Sequence, residues 1–529
     1  MSYSKTGLVP SSLIAKTDEW PLMSGQPMLT FLLDTNAVIT LEPYAGSAEP
    51  NHESLAAFLV SARANAHRVA VHPANEDDLR QTTDDEHRVA NLAALKKYEL
   101  VAEPPIPGNF LQVASNPTAG TNDHRDLRLL AAVHHGAATH LVTSDERLIR
   151  LASRLDMTDR VLRPGEALEL LRGLYPKDPP PPPRVLAIEP ALLKLSDPIF
   201  DSLRLDYREF DQWFRTKVAP DGNRRAWVVV GEDGEYLAIT IVKMKDDHPL
   251  DAGSKATKIS TFKVDERAGG EKLGELLLKT VLQWAYEVRA QTLFVTVIEE
   301  SGPKEILVHF LEQFGFLRRG ELPDAAGEFI FQKDLKPDLQ AALPPLDFHI
   351  RFGPPAVHPD SPVFVIPIQP RWYLGLFPDS PVFGTSTPLE GLVVETGPFG
   401  NALRKAYLSN ASVRQIPAGA VILFYRSSDG RGSAGAVHAI GVVESTLRTS
   451  DPIEAMAFVG RRTVYDAGEI KAMCESGLIA VLFRQDRFLQ EPWTLLELTR
   501  NGVLNGPPQA IVQVQNQGGR QWVMRQLTE

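Results

Sequence analysis

The sequence predicts a multidomain chain with three folded units: an α/β unit on a parallel sheet, an α+β unit and a β-rich small barrel. The 529 residues exceed an ordinary single domain. Two proline-containing breaks, at 176–184 and 337–345, neither continue a helix nor pair in a sheet. Strand and helix patterns alternate before the second break, whereas strands dominate after it. The predicted units are 28–175, 185–336 and 346–529, after an irregular leader, 1–27.

Composition narrows the class of protein. With 43% hydrophobic and 23% charged residues, the chain is predicted to be soluble and globular. Its one cysteine, Cys474, excludes an intrachain disulfide and suits a reducing cytoplasm. We find neither a long apolar span nor a signal-peptide pattern, so we expect no membrane contact and a cytoplasmic location.

Charge is unevenly distributed along the chain. The net charge is −11, which argues against a surface that attracts nucleic acid everywhere. Residues 401–529, however, carry 14 Lys or Arg against 11 Asp or Glu. If nucleic acid binds outside an acidic site, the last third of the chain is the better candidate.

Acidic residues mark the ends of predicted strands in the first unit. Asp34 closes the apolar run 29–33, and Asp145 ends a second β-rich run. Asp126 opens a helical stretch between them. Gathered at one sheet edge, such carboxylates repel one another and hold protons at neutral pH, so their natural use is to bind a hard divalent cation. The alternative is that each acid merely caps a helix or turn.

This order of acids resembles the PIN-domain ribonucleases over residues 29–175. Their pattern is a strand ending in Asp-x-Asn, a mid-domain acid, a helix-opening Asp and a late Thr-x-Asp. We take Asp78 as the mid-domain acid, with Glu76 and Asp77 as alternatives, while Asp123 competes with Asp126.

The resemblance implies a nuclease site. Asp34, Asp78, Asp126 and Asp145 would hold Mg²⁺ or Mn²⁺ and generate hydroxide, with Asn36, Thr143 and Ser144 orienting ligands or waters. It also implies RNA as substrate, and a toxin or defence role with an antitoxin or regulatory protein as partner.

The sequence of the middle unit predicts, in order, a hairpin, a strand, a glycine loop, a helix, a strand and a helix. The hairpin strands 227–230 and 236–242 flank an Asp-Gly turn, and the strand 258–264 runs into the glycine loop. A further strand, 293–298, precedes a helix that ends in Phe314-Gly315-Phe316. Small residues at the start of a helix let backbone N–H groups face a phosphate.

That order resembles the GNAT acetyltransferases. The resemblance implies that the loop holds the pyrophosphate of acetyl-coenzyme A, and its candidate residues are Arg267, Gly269, Gly270, Lys272 and Gly274. Leu311 stands where the family has a tyrosine that acts as a general acid. Leucine donates no proton, so acid catalysis by that route is missing.

The last unit has β-rich segments at 362–368, 371–373, 417–427, 439–444, 461–465 and 480–483. These resemble the EVE, ASCH and PUA-like small barrels, which implies binding of RNA or a modified base. Aromatic residues interleaved with Arg suit a stacked base whose edge is hydrogen-bonded. The candidates are Trp372, Tyr373, Asn401, Lys405, Tyr425, Arg426, Arg461 and Arg462. Alternatively, the aromatic residues belong to the core.

Three functions follow. The first is a metal-dependent ribonuclease whose other units select substrate or bind coenzyme A. The second is an N-acetyltransferase acting on an RNA-linked or protein amine, with an inactive PIN unit. The third is a non-catalytic nucleic-acid scaffold. The sequence favours the ribonuclease, because all four PIN-type acids are present whereas the GNAT-type tyrosine is absent. It leaves the oligomeric state open, and a homo-oligomer is one of the possibilities.

Overall fold

A computed structural model describes most of the chain. The described residues are 27–41, 52–176, 185–231, 233–251, 254–265, 268, 272–298, 303–323, 325–380, 402–428 and 435–528. The predicted leader 1–26 and the proline run 177–184 lie outside them. Within the described ranges, no helix is both long enough and apolar enough to span a membrane.

The first unit contains a five-stranded parallel sheet in the order β3-β2-β1-β4-β5. Its strands are β1 (Thr30–Leu33), β2 (Arg68–Val71), β3 (Glu99–Leu100), β4 (His140–Val142) and β5 (Val161–Leu162). Its helices are α1 (Thr35–Leu41), α2 (His52–Ala64), α3 (Pro73–Leu79), α4 (Asp85–Leu95), α5 (Gly108–Val113), α6 (Asn122–His134), α7 (Glu146–Arg154) and α8 (Pro164–Leu174). All four residues of β1 are buried, as expected for a central parallel strand.

The middle unit has a seven-stranded sheet in the order β11-β12-β10-β9-β8-β7-β6. Its strands are β6 (Val185–Ile188), β7 (Arg224–Val230), β8 (Tyr236–Asp247), β9 (Lys255–Val264), β10 (Thr292–Ile298), β11 (Leu317–Leu322) and β12 (Ala325–Asp334). Its helices are α9 (Asp201–Asp206), α10 (Phe210–Trp213), α11 (Leu273–Glu287) and α12 (Pro303–Gln313). The pairs are antiparallel except β9 with β10, which the crossover through α11 makes parallel. The predicted order of strands and helices is confirmed here, while most of the predicted glycine loop lies outside the described residues.

The third unit has a six-stranded sheet in the order β14-β17-β16-β15-β13-β18. Its strands are β13 (Val363–Ile368), β14 (Arg404–Ser409), β15 (Val421–Arg426), β16 (Ala436–Thr449), β17 (Leu478–Thr494) and β18 (Val512–Gln513). Its helices are α13 (Pro345–Phe352), α14 (Pro370–Leu376), α15 (Pro452–Val459), α16 (Ala467–Cys474), α17 (Leu495–Arg500) and α18 (Gln517–Thr528). The barrel prediction is not confirmed, because β14 and β18 form the two edges of this sheet among the described strands.

Two segments expected to be strands are not. Residues 371–373 lie in α14, where Pro370 at the first helical turn starts a helix. Arg461 and Arg462 lie in a short 3₁₀ turn, Gly460–Arg462, that follows α15. In both cases tertiary packing outweighed the local β-propensity of Trp, Tyr, Thr and Val, since Tyr373 and Tyr465 are buried in the core.

The three units pack against one another. One core cluster combines residues of the first unit, such as Leu55 and Leu171, with Ala406, Met456 and Ile470 of the third. Leu403 of the third unit belongs to the core of the middle unit. The chain is therefore less modular than its proline breaks suggest.

Candidate active sites

Asp34 and Asp145 follow neighbouring parallel strands at the same sheet edge. Leu33 of β1 is paired with Val142 of β4, and the Asp34 backbone N–H donates to the Val142 carbonyl at 3.0 Å. The strand ends therefore bring the two carboxylates together, as the sequence predicted.

The Asp34 carboxylate is buried but not isolated. It accepts hydrogen bonds from the Thr143 hydroxyl and the Thr35 backbone N–H, both at 2.7 Å. Burial raises its pKa to about 6, with Asp145 and Asp78 adding to the rise and the two hydrogen bonds opposing it. Asp34 is thus held in place, and a nearby cation would favour its ionised form further.

Asp126, on α6, is the most strongly perturbed acid of this group. Burial raises its pKa to about 7, and repulsion from Asp34, Asp145 and Asp123 contributes. Asp145 has a second task, because its carboxylate caps α7 by accepting from the backbone N–H groups of Arg147 and Leu148. The capping alternative therefore holds for Asp145 alongside its place in the cluster.

The three candidates for the mid-domain acid, Glu76, Asp77 and Asp78, differ in the arginine that each pairs with. Glu76 and Asp77 form ion pairs with Arg80 and Arg128, each at 2.5 Å. Asp78 pairs with Arg125 at 3.2 Å and acts on the pKa of Asp34. Asp78 is hence the acid of α3 that contributes to the cluster.

Asp123 lies at the rim of the cluster, where it pairs with Arg147 at 2.9 Å. Of the predicted orienting residues, Thr143 joins two acids, since it donates to Asp34 and accepts from the Asp145 backbone N–H at 2.9 Å. Asn36 and Ser144 are exposed. Sequence reasoning missed Asn75, whose buried amide supports the Asp34 loop through Leu33 and Thr35.

The chemistry of these donors suits a hard cation, because carboxylates with raised pKa values gain from a positive charge. Their positions, however, do not form a preorganised metal site. Among the described residues, no three His, Cys, Asp or Glu side chains are arranged closely enough to hold a metal ion. The four carboxylates would have to close on a cation.

In the middle unit, β9 and β10 diverge. Their register runs over three pairs, from Leu293 with Thr257 to Val295 with Ile259, and then stops although both strands continue. A β-bulge lies at the same place: β8 partners skip from Ile259 to Thr261 and leave Ser260 without a partner in the register. A gap in a sheet beside an unpaired backbone position is where a ligand can enter.

Helix α11 begins beside this divergence. Lys272 is its N-cap residue and has a left-handed backbone conformation. Gly274 lies in the first turn, where an added Cβ would come 3.8 Å from Val264 and from Phe310. Arg267, Gly269 and Gly270 lie outside the described residues.

The α12 side chain at the divergence is Phe310. Its ring stacks on Phe262 of β9 with centroids 5.8 Å apart. Leu311, which the sequence placed at the family's tyrosine position, is instead buried in the core beside Phe314 and Phe316. Neither side chain carries an ionisable proton.

The predicted base-binding residues of the third unit are mostly buried. Tyr373, Lys405, Tyr425 and Arg426 are each at most 8% exposed. Burial lowers the pKa of Lys405 well below its ordinary value. The Trp372 ring packs against the core with its centroid 4.4 Å from that of Tyr465 and the two planes tilted by 33°. Asn401 lies outside the described residues.

Arg461 and Arg462 hold units together instead of facing solvent. Arg461 donates to Glu166 at 2.5 Å and Glu169 at 2.7 Å, both on α8 of the first unit. Arg462 pairs with Asp159 and with Glu444. The prediction that these two arginines contact RNA phosphates disagrees with this placement, because acids of the same chain already occupy their guanidinium groups.

Comparison with known proteins bears on the middle unit. Residues 190–316, about a quarter of the chain, match the acetyltransferase (GNAT) family model. No curated protein matches the chain significantly. The family match supports the acetyltransferase interpretation of the sequence, whereas the nuclease interpretation depends on the acid geometry.

Solved structures of two kinds resemble the chain weakly. An acyl-CoA N-acyltransferase from Klebsiella pneumoniae is 16% identical, covers 29% of this chain and 98% of its own, and has a TM-score of 0.23. A GNAT acetyltransferase from Staphylococcus aureus has the same identity, coverage of this chain and TM-score, with 100% of its own chain covered. An ASCH protein from Zymomonas mobilis is 15% identical over 30% of this chain and 93% of its own, with a TM-score of 0.21.

Proposed function

We propose that the middle unit binds a coenzyme A thioester and transfers its acyl group to an amine. The observation that carries this proposal is the divergence of β9 from β10 within the region that matches the GNAT family model. Coenzyme A supplies an activated thioester; the chain supplies the place where the thioester and the amine meet.

The residues of this region fit one end of the cofactor better than the other. The start of α11 offers backbone N–H groups and the positive end of the helix dipole, which suit a pyrophosphate, and the Lys272 ammonium group lies there in an ion pair with Glu275 at 3.2 Å. Beyond the last β9–β10 pair, Val295 with Ile259, backbone groups of the two strands no longer pair with each other and suit a polarised carbonyl oxygen. Phe310 and Phe262 narrow the gap and would have to shift for an acyl chain to pass. With no acid on α12 at this point, we expect slow transfer.

Calorimetry and thiol release test this function in the full-length protein. We expect acetyl-coenzyme A to bind and Lys272→Glu to weaken binding at least about tenfold, since a cation at the helix start becomes an anion. Lys255→Glu, at the exposed first residue of β9, is the control and should leave binding unchanged. No heat at millimolar ligand, together with no thiol release above background for any amine, would refute the proposal.

A second function is favoured by the first unit. The carboxylates of Asp34, Asp126 and Asp145 act on one another at one sheet edge, and burial together with this repulsion raises the pKa of Asp34 and of Asp126. Such an arrangement supports metal-dependent hydrolysis of RNA. Asp34, Asp78, Asp126 and Asp145 would hold Mg²⁺ or Mn²⁺, and the metal would supply an activated water. Thr143 would orient Asp34, and Arg125 would keep Asp78 in place.

The nuclease proposal has its own test. RNA cleavage should require a divalent metal and fall at least about a hundredfold in Asp34→Asn and Asp145→Asn, as expected when a metal ligand is neutralised. Asp77→Asn, whose carboxylate pairs with Arg128 outside the cluster, should cleave normally. Cleavage that survives both cluster variants and EDTA would exclude these acids.

A further inference from the structure

Three basic side chains lie side by side on one face of the middle sheet. Arg224 of β7 is paired with Lys243 of β8, and Lys243 is paired with Lys258 of β9. Like charges directly opposite each other on neighbouring strands destabilise a sheet. A row of three therefore needs counter-charge.

Two members of this basic row have a counter-charge and the third does not. Arg224 pairs with Asp221 at 3.1 Å, and Lys243 pairs with Asp246 at 2.6 Å. Among the described residues, no acid forms an ion pair with the Lys258 ammonium group, which lies over the Phe294 ring, 5.8 Å from its centroid. Burial lowers the pKa of Lys258, and Arg224 and Lys243 lower it further against the opposing effect of Asp246 and Glu328.

The basic row lies on the face opposite α11. The core beneath α11 and α12 contains Val229, Val242 and Ile259. The other face, which packs on α9 and α10, contains Ala226, Val228 and Ile241, and the basic row continues that face by the alternation of side chains along β7 and β8. A molecule that reaches the divergence from this face has to pass the row.

The basic row also contacts the divergence itself. Lys258 is paired with Phe294, one position before the register between β9 and β10 ends. The Arg224 guanidinium donates to the Ser260 hydroxyl at 2.8 Å, so the first and last members of the row flank the bulge.

We propose that the basic row binds the anionic group of the acyl acceptor, which is thus a small amine that carries a carboxylate or a phosphate. This inference rests on the proposed acyl transfer. In that reaction the amine nitrogen forms a bond to the acyl carbon, the carbon–sulfur bond breaks, and the proton lost by the amine balances the one taken up by the leaving thiolate. Lys258 supplies the cation that has no ion-pair partner among the described residues, and Arg224 and Lys243 add to the positive potential around it.

Acyl transfer to matched acceptors tests the site. An amino acid, an aminoalkyl phosphate and the amide of the same amino acid are compared in wild type, Lys258→Met and Lys258→Arg. Removal of the charge should raise KM for the two anionic acceptors at least about tenfold, leave kcat within about twofold and leave the amide unaffected, while Arg should restore the low KM. Lys255→Met, on the same strand but with its side chain 57% exposed and paired with Asp247, is the control.

A binding measurement separates failure of this inference from failure of acyl transfer itself. The N-acetylated amino acid, which is the product, should raise the melting temperature of the wild type and not of Lys258→Met, and the N-acetylated amide should raise neither. That pattern supports the anion site even if no transfer is detected. Equal stabilisation by acid and amide, or none by either, overturns the inference, as do equal KM changes for all acceptors.

Discussion

The Glu275 carboxylate, in the first turn of α11, accepts a hydrogen bond at 2.8 Å from the backbone N–H of Leu403, the residue of the third unit that enters the middle unit's core. The Arg404 backbone N–H donates to the same oxygen at 3.2 Å, and Lys272 pairs with the other oxygen at 3.2 Å. Burial alone would raise the pKa of Glu275, but Lys272 and Arg404 together lower it to about 2. The helix start proposed to bind pyrophosphate is thus attached to the third unit.

We therefore expect Glu275→Gln to destabilise the whole chain. The change leaves the Lys272 ammonium group without the carboxylate that it pairs with, whereas the Arg404 guanidinium keeps Glu444. Removing one partner of a buried ion pair typically costs about 3 to 5 kcal/mol. Chemical denaturation measures the free energy of unfolding. Glu287→Gln, exposed at the end of the same helix, should cost less than about 0.5 kcal/mol. Equal effects of the two variants would contradict the coupling.

Gly315 allows the middle unit to meet α13 of the third. Its φ is +79°, and an added Cβ would lie 1.9 Å from the Ile350 carbonyl oxygen. Gly315→Ala should cost more than about 2 kcal/mol, because backbone strain and a clash act together. Gly327→Ala, with φ +82° and no neighbour within 4 Å, isolates the backbone cost and should be milder. Thermal unfolding of both variants checks this, and equal losses would exclude the clash.

The acid cluster predicts a pH dependence of stability. Because the pKa of Asp126 is raised to about 7 in the folded chain, from an ordinary value of 3.8, the folded state holds a proton that the unfolded state has lost between about pH 4 and pH 7. Folding stability of the metal-free protein should accordingly fall as pH rises through that window. Asp126→Asn removes this contribution, so it should melt roughly 2 °C or more above wild type at pH 8 and equally at pH 4. A difference that does not change with pH would contradict the assignment.

Phe310 of α12 stacks on Phe262 of β9, whereas Leu311 is buried in the core. Phe310→Tyr places a hydroxyl beside Phe262 and Gly274, and general acid catalysis typically contributes 10² to 10⁴-fold, so we expect acyl transfer to rise at least about tenfold. Leu311→Tyr, by contrast, overpacks a core position that is 1% exposed and should cost about 1 to 3 kcal/mol without any gain in rate. Thiol release and thermal melts separate the two outcomes. A rate increase in Leu311→Tyr alone would restore the sequence-based assignment.

Local sequence patterns were sufficient to predict part of this architecture. Asp34 and Asp145 could be placed together from sequence because each ends a short apolar run, and adjacent parallel strands end at one sheet edge. Asp78 was separable from Glu76 and Asp77 only in the structure, because the three differ in which arginine each pairs with.

Long-range partners were invisible to such patterns. Arg461 and Glu166 are 295 positions apart, and nothing near either residue signals the pair. The burial of Leu311 was equally hard to foresee, because one step along a helix turns a side chain by about 100°, so neighbouring positions such as 310 and 311 face different surroundings. Lys258 gave no signal either, since its neighbours in the row come from other strands.

The core shared by the first and third units has a consequence for how the chain unfolds and evolves. Leu171 of the first unit and Met456 of the third are buried in the same core. A fragment cut at either proline break would therefore expose a hydrophobic surface and tend to aggregate. We expect the intact protein to melt in one cooperative transition instead of three. The units would then be gained or lost in evolution only together, and a destabilising mutation in one unit would lower the stability of the other two.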